Sequence, residues 1–288
     1  MEPLALATLS AWGAWLQAQA IPLTVLNAGP HLRYAARMRL FDHLGVDYQT
    51  AQVEHEEAGR FLPVTQVTDR SAVAGVIAEI SALLHLDEDP DSLTAVQFCV
   101  SELLRNVLEH SSAPQGAFVC AQRFPNPPYP RVSIAVADCG VGIRAHLARA
   151  HTEIAADDAK ALQLALRPGV TGALPGMYGT PENAGAGLFL TRSIAKGTGG
   201  YFLIASGTAA YRQYRTHSSQ RQTELFVDPA FERHRLWNIP NWPGTIVAVE
   251  VRTDRIADFD GFFSWIRSQI PQRETSRRKL RFTHDQKS

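Results

Sequence analysis

Apolar residues crowd the first eighteen positions at a spacing that predicts a helix over about 4–18, and the run Ile21-Pro22-Leu23-Thr24-Val25-Leu26 predicts a short strand after it. A second helix is expected over about 31–43, stopping at Gly45. Together these would form a small α/β fragment, 1–47, with a single strand. The polar stretch from Tyr48 to Arg60, containing Glu54, Glu56 and Glu57, reads as a linker, 48–60.

From Phe61 the pattern changes. An extended FLPVTQV is followed by a helix over about 70–85 and a long helix over about 91–110, opened by Asp89-Pro90-Asp91-Ser92, a capping side chain with proline in the first turn. Strands at about 115–123 and 131–137 flank the turn-forming run Pro125 to Pro130. After Gly142 come helices near 143–150 and 157–166, a Gly/Pro-rich loop from 167 to 187, a helix to about 197, and strands near 200–206 and 244–252. Helices and strands occur in runs without βαβ alternation, which predicts an α+β sandwich with one sheet covered by helices. Residues 207–243, long, polar and aromatic, read as a structureless insertion of the binding-loop or flap kind. Residues 256–288 read as a C-terminal helix and a basic tail.

Composition narrows the class. Of 288 residues 45% are apolar and 19% charged, which excludes a disordered, highly charged chain. Lys+Arg 28 balances Asp+Glu 28, so no whole-molecule field draws in nucleic acid or an anionic membrane. Nucleic acid would need a local patch, and the tail from Arg267, with seven Lys/Arg against two acidic residues, is the candidate. Cys99, Cys120 and Cys139 have no CxxC spacing and no even-numbered pattern, which argues against a disulfide framework or zinc site and favours a cytoplasmic setting. The N-terminus lacks a positively charged leader region, and no stretch has the ~18–20 apolar residues of a membrane span, so no membrane partner is expected.

Three segments carry chemistry. In SELLRNVLEHS, residues 101–111, Glu102, Asn106 and His110 follow i, i+4, i+8 and would share one face of the long helix. An Asn oxygen and a carboxylate at that spacing can hold Mg²⁺ directly or through water, while the carboxylate positions a nucleophilic water. In VSIAVADCGVGIRAHL a strand ends at Asp138 and is followed by Gly140 and Gly142. A carboxylate fixed there can accept from an exocyclic amine, and the glycines let the backbone approach a ring. In NAGAGLFLTRSIAKGTGG, Gly185 and Gly187 directly precede a helix whose free N–H groups would cradle phosphate.

In this order the three resemble the GHKL ATPase superfamily, the histidine kinase, gyrase, chaperone and mismatch-repair ATPases built on the Bergerat fold. SELLRNVLEHS looks like the N box, DCGVG the first glycine box, GAGL the second, and Gly244-Thr245 the late Gly-Thr whose hydroxyl supports the adenine-binding Asp. The resemblance covers about 61–255. It implies a Bergerat α/β sandwich, a mixed sheet covered by helices on one face, and ATP with Mg²⁺ as cofactors. It further implies Asn106 as Mg²⁺ ligand, Glu102 as general base and water-mediated metal contact, and Asp138 as adenine contact. Gly140 and Gly142 would shape the purine pocket, Arg167 to Ala186 would be the ATP lid, and Gly185, Gly187 and Leu188 would present phosphate-binding backbone. His110 and Thr171 are candidates on the phosphate side, and Thr245 supports Asp138. The N-terminal fragment, with HLRYAARMRLFDHLGV, resembles the latter half of a STAS-like domain, either preceded by strands this chain lacks or packed directly on the ATPase.

Three functions compete: a regulatory ATP-binding switch of the anti-sigma or sensor type, a serine or histidine protein kinase, and a mechanical ATPase dimer. A histidine phosphoacceptor would need a following acid, which His31-Leu32-Arg33 lacks, and mechanical ATPases add a long transducer where about 35 residues remain after Val251. The switch is therefore expected, controlling a STAS protein, sigma factor or response protein, with a homodimer compatible.

Overall fold

The structure, a computed structural model, describes residues 1–26, 29, 32–48, 61–86, 89–154, 156–170, 185–215, 222–256, 258–268 and 279–283. Nine α-helices lie among them: α1 (Pro3–Ala18), α2 (Arg33–Arg37), α3 (Leu40–Leu44), α4 (Ser71–Leu84), α5 (Pro90–Asn106), α6 (Ile143–Leu147), α7 (Asp158–Ala165), α8 (Gly187–Gly197) and α9 (Phe259–Ser268). The strands are β1 (Phe61–Val67), β2 (Ala117–Phe124), β3 (Arg131–Ala137), β4 (Phe202–Gln213), β5 (Gln222–Phe226), β6 (His234–Arg252) and β7 (Lys279–Thr283). Local chemistry sets the helix starts. Asp89 accepts from the Ser92 N–H with Pro90 in the first turn of α5, and Asp157 does the same for Lys160 at α7.

The main sheet has order β1-β2-β3-β6-β4, and every neighbouring pair is antiparallel. The fold is α+β as expected, but the sheet is not mixed. β1, β2 and β3 form a meander, and β6 enters between β3 and β4 running opposite to both.

Alternation along the strands separates two apolar faces. On one, Ile134, Val136, Ile204, Val247 and Val249 pack with Leu103 of α5, Phe189 of α8, Ile80 of α4 and Phe262 of α9. The other face, rich in small residues such as Ala135, Ala137, Ala205 and Ala248, is covered by Leu6, Ala7 and Ala11 of α1 with Phe41 of α3. Alanine on the sheet lets a helix approach closely. The sheet is thus covered on both faces, not on one.

Two further expectations are corrected. Ile21 to Leu26 is not a strand: Pro22 has no donor, no neighbouring strand offers a ladder, and Ile21 and Leu26 are exposed. The N-terminal segment is helical and docks on the sheet, the packed arrangement rather than a free α/β fragment. The described residues of 207–243 are not structureless, because β4 and β6 continue into them as a long ribbon, and β5 within them pairs with β7 of the basic tail. The proposed linker lies, apart from Tyr48, outside the described residues.

No helix among the described residues is long and apolar enough to cross a membrane. Cys99, Cys120 and Cys139 are buried free thiols.

Candidate functional site

The end of α5 differs from the expected straight helix. Residues Val107–Ser111 form a π-turn, so the i, i+4, i+8 spacing of Glu102, Asn106 and His110 no longer aligns all three. The widened turn is anchored by the DCGVG loop: Val141 donates its N–H to the Ser111 carbonyl at 2.6 Å, and a Cβ on Gly140 would overlap that same backbone. His110 leaves the Glu102 face and lies against His146 of α6, ring centroids 4.6 Å apart. Burial pulls both imidazoles below their ordinary range, His146 to about 4, where the His110 ring further disfavours its charge.

Glu102 and Asn106 meet the start of α8. A Cβ on Gly187 would overlap the Glu102 carboxylate and come within 3.7 Å of Asn106 Nδ2. A side chain at 187 would push the Glu102 carboxylate aside where α5 and α8 touch, and the carboxylate rests at a helix N-terminus that no side chain caps. Glu102 is 8% exposed; burial raises its carboxyl pKa, opposed by Arg105, whose guanidinium lies 2.5 Å away. Arg105 did not figure in the sequence reading, although its i+3 offset from Glu102 carries the signal. Asn106 Nδ2 is buried without a hydrogen-bond partner.

Asp138 ends β3 fully buried. Its Oδ1 accepts the Gly140 N–H at 2.8 Å, while Oδ2 is buried with no partner. Burial pushes the carboxyl up to about 7 against the lowering effect of the Gly140 and Thr245 backbone N–H groups. The support from Thr245 is main-chain: its carbonyl accepts the Asp138 N–H at 2.9 Å, and no bond from its hydroxyl to the carboxylate occurs among the described residues. Gly244 is the closer neighbour, since a Cβ there would overlap Asp138 Oδ1 and the Asp138 carbonyl. Trp242, inside the supposed insertion, donates its indole N–H to that carbonyl at 2.9 Å. Gly142 packs on Ser206 Oγ, which accepts from Ile143 N–H at 2.9 Å and donates to the Gly244 carbonyl at 2.7 Å. No pattern along the chain points to Trp242 or Ser206, whose bonds are made across strands.

Most of the segment expected to form a lid, including Thr171, lies outside the described residues. Its two ends are held together: Gly169 donates to the Gly185 carbonyl at 3.1 Å, and Gly185, at φ +76°, has the Val170 backbone where a Cβ would stand. Leu188 is half-buried between the main core and a small cluster of Leu147, Ile154, Ala161 and Ala165, so its side chain is packing.

The structure therefore brings Glu102, Asn106 and Gly187 into one group and Asp138, Gly140, Gly244 and Thr245 into another, joined through Ser111 and Val141. This arrangement offers an acceptor at a strand end, an amide and a carboxylate on a helix, and free N–H groups at a helix start. Among the described residues no group of three or more His, Cys, Asp or Glu side chains is placed to hold a metal by itself. Compared with known proteins, the chain matches no family model, no curated protein and no solved structure.

Proposed function

We propose that the chain is a regulatory ATP-binding protein of the GHKL type, in which Mg-ATP orders the 167–186 segment and thereby controls binding to a STAS protein, sigma factor or response protein. One observation carries this reading. Two polar atoms buried without partners among the described residues, Asp138 Oδ2 and Asn106 Nδ2, flank a site where a Cβ on Gly140 or Gly244 would run into backbone and one on Gly187 would press on the Glu102 carboxylate. Buried polar groups without partners are costly, and a ligand that supplies the missing bonds recovers that cost.

The residues fit the nucleotide. Asp138, ionised, accepts from an adenine amine. Asn106, by a half-turn of its amide, presents either oxygen or nitrogen, so it can serve a cation. The start of α8 binds phosphate through backbone N–H groups. Mg²⁺ would neutralise phosphate charge. Glu102, once drawn from Arg105, takes a proton from a water. Calorimetry with Mg-ATP tests the reading: saturable binding is expected, and none at millimolar nucleotide overturns it.

Two measurements separate binding from its consequences. Glu102→Ala should leave ATP affinity largely intact while slowing hydrolysis by about 10²–10⁴, the usual effect of losing a general base; unchanged turnover would make Glu102 a structural residue. Hydrogen exchange across 167–187 should slow more with a non-hydrolysable ATP analogue than with ADP, because the γ-phosphate adds contacts at the start of α8. Equal exchange in the two states would remove the switch and leave the binding site.

A further inference from the structure

Charge is unevenly placed on this neutral chain. Residues 207–243 carry five Lys/Arg against three acidic residues, and the tail from Arg267 seven against two. Folding brings the two segments together, since β7 of the tail is hydrogen-bonded to β5. Two of the three acids of the insertion, Asp228 and Glu232, are consumed from outside it. Asp228 binds Arg167 at 2.6 Å, and Glu232 faces Arg192 and Lys196 at 3.6 and 3.3 Å, all against the α8 side of the sheet. Arg215 is held by Glu250 at 2.6 Å.

Arg221 lies outside the described residues, and Arg212, Arg233 and Arg235 remain. None has a carboxylate partner among the described residues, and Arg212 Nε is buried without an acceptor. Arg212 and Arg235 are direct cross-strand partners on one face of the β4–β6 ribbon, a like-charge pairing that is unfavourable unless an anion lies between them. Alternation puts Tyr214, Arg233 and Trp237 on the same face. The guanidinium of Arg212 lies 5.3 Å from the Tyr201 ring and 5.7 Å from that of Tyr214, Arg233 5.7 Å from Tyr214, and Arg235 5.3 Å from Trp237. Rings and guanidinium groups are thus interleaved as flat surfaces on an open strand pair.

We propose that this face binds single-stranded nucleic acid, its phosphates on Arg212, Arg233 and Arg235 and its unpaired bases stacked on the Tyr214 and Trp237 region. Positive charge selects a polyanion, and aromatic planes add stacking that an acidic peptide cannot use. A duplex hides its bases and offers only its backbone to such a face. The site lies on the ribbon, so it stands or falls independently of the nucleotide reading.

Fluorescence anisotropy of a labelled oligouridylate of about 20 nucleotides, titrated with the full chain, tests it. Micromolar affinity is expected, falling roughly 20-fold between ~50 and ~200 mM salt if three phosphates are engaged. The triple variant Arg212→Gln, Arg233→Gln, Arg235→Gln should weaken binding at least about tenfold and flatten the salt dependence. Arg235→Gln alone, on an exposed side chain, gives the same direction should the triple variant fail to fold. Arg235→Lys keeps the charge and loses the stacked plane, so it should weaken binding less than Arg235→Gln but measurably. No saturable binding, affinity unchanged in the Gln variants, or stronger binding to polyglutamate than to the oligonucleotide would each overturn the proposal, the last in favour of an acidic protein partner.

Discussion

Asp138→Asn should lose ATP and gain stability at once. The amide presents a donor to the adenine amine and strands it, at a cost of about 1–3 kcal/mol, or roughly 5- to 150-fold in affinity. The stability change follows from the buried carboxyl, which holds its proton up to about pH 7 in the folded protein, whereas an unfolded aspartate holds it only to about 4. Between these values the native state binds more protons, so wild-type stability falls as pH rises, and above about 7 the full cost of burying the charge is present. Asparagine keeps the acceptor for the Gly140 N–H and never ionises. The variant should therefore be more stable than wild type by about 1–3 kcal/mol at pH 8, with the gain shrinking toward pH 4. Thermal melts at pH 5 and pH 8, with calorimetry at pH 8, read both effects. Unchanged ATP affinity would refute the adenine assignment, and an equal stability difference at the two pH values would refute the burial account.

Removal of Glu232 should cost about 3–5 kcal/mol, because it leaves two cations without their carboxylate. Arg192 is fully buried, donates to the Phe226 carbonyl at 2.6 Å and faces Glu232, whose second oxygen faces Lys196 and whose first accepts the Phe226 N–H at 2.8 Å. These bonds join α8, whose start meets Glu102, to the segment between β5 and β6. Glu232→Ala strands Arg192, Lys196 and one backbone donor together, whereas Glu232→Gln keeps an acceptor for the Phe226 N–H and should be milder. Urea unfolding measures both. A loss below about 1 kcal/mol in the alanine variant would mean that water reaches the cluster.

The elements with strong local signals were legible in the sequence. The Asp89-Pro90 cap fixed the start of α5, and alternating apolar residues gave β3 as Arg131–Ala137, the bounds expected from the pattern. Gly140 and Gly185, flagged in DCGVG and GAGL, do occupy positions where a Cβ would run into backbone. Apolar density misled at Ile21 to Leu26, where no ladder was available. Polarity misled at 207–243, because a ribbon exposed on one face carries arginines and tryptophans without ceasing to be strand.

What the chain determines by itself is therefore local: helix starts, strand periodicity and the order of its polar and glycine-rich segments. These depend on neighbours within a few residues. Tertiary structure alone decided that α1 covers the second face of the sheet, that the π-turn carries His110 to His146, that Arg105 and Gly187 enclose Glu102, and that the basic tail pairs with β5. Each of these is a contact between segments far apart in sequence, set by which surfaces exclude water together and which buried charges find a partner, and no periodicity in one segment records the partner it will meet.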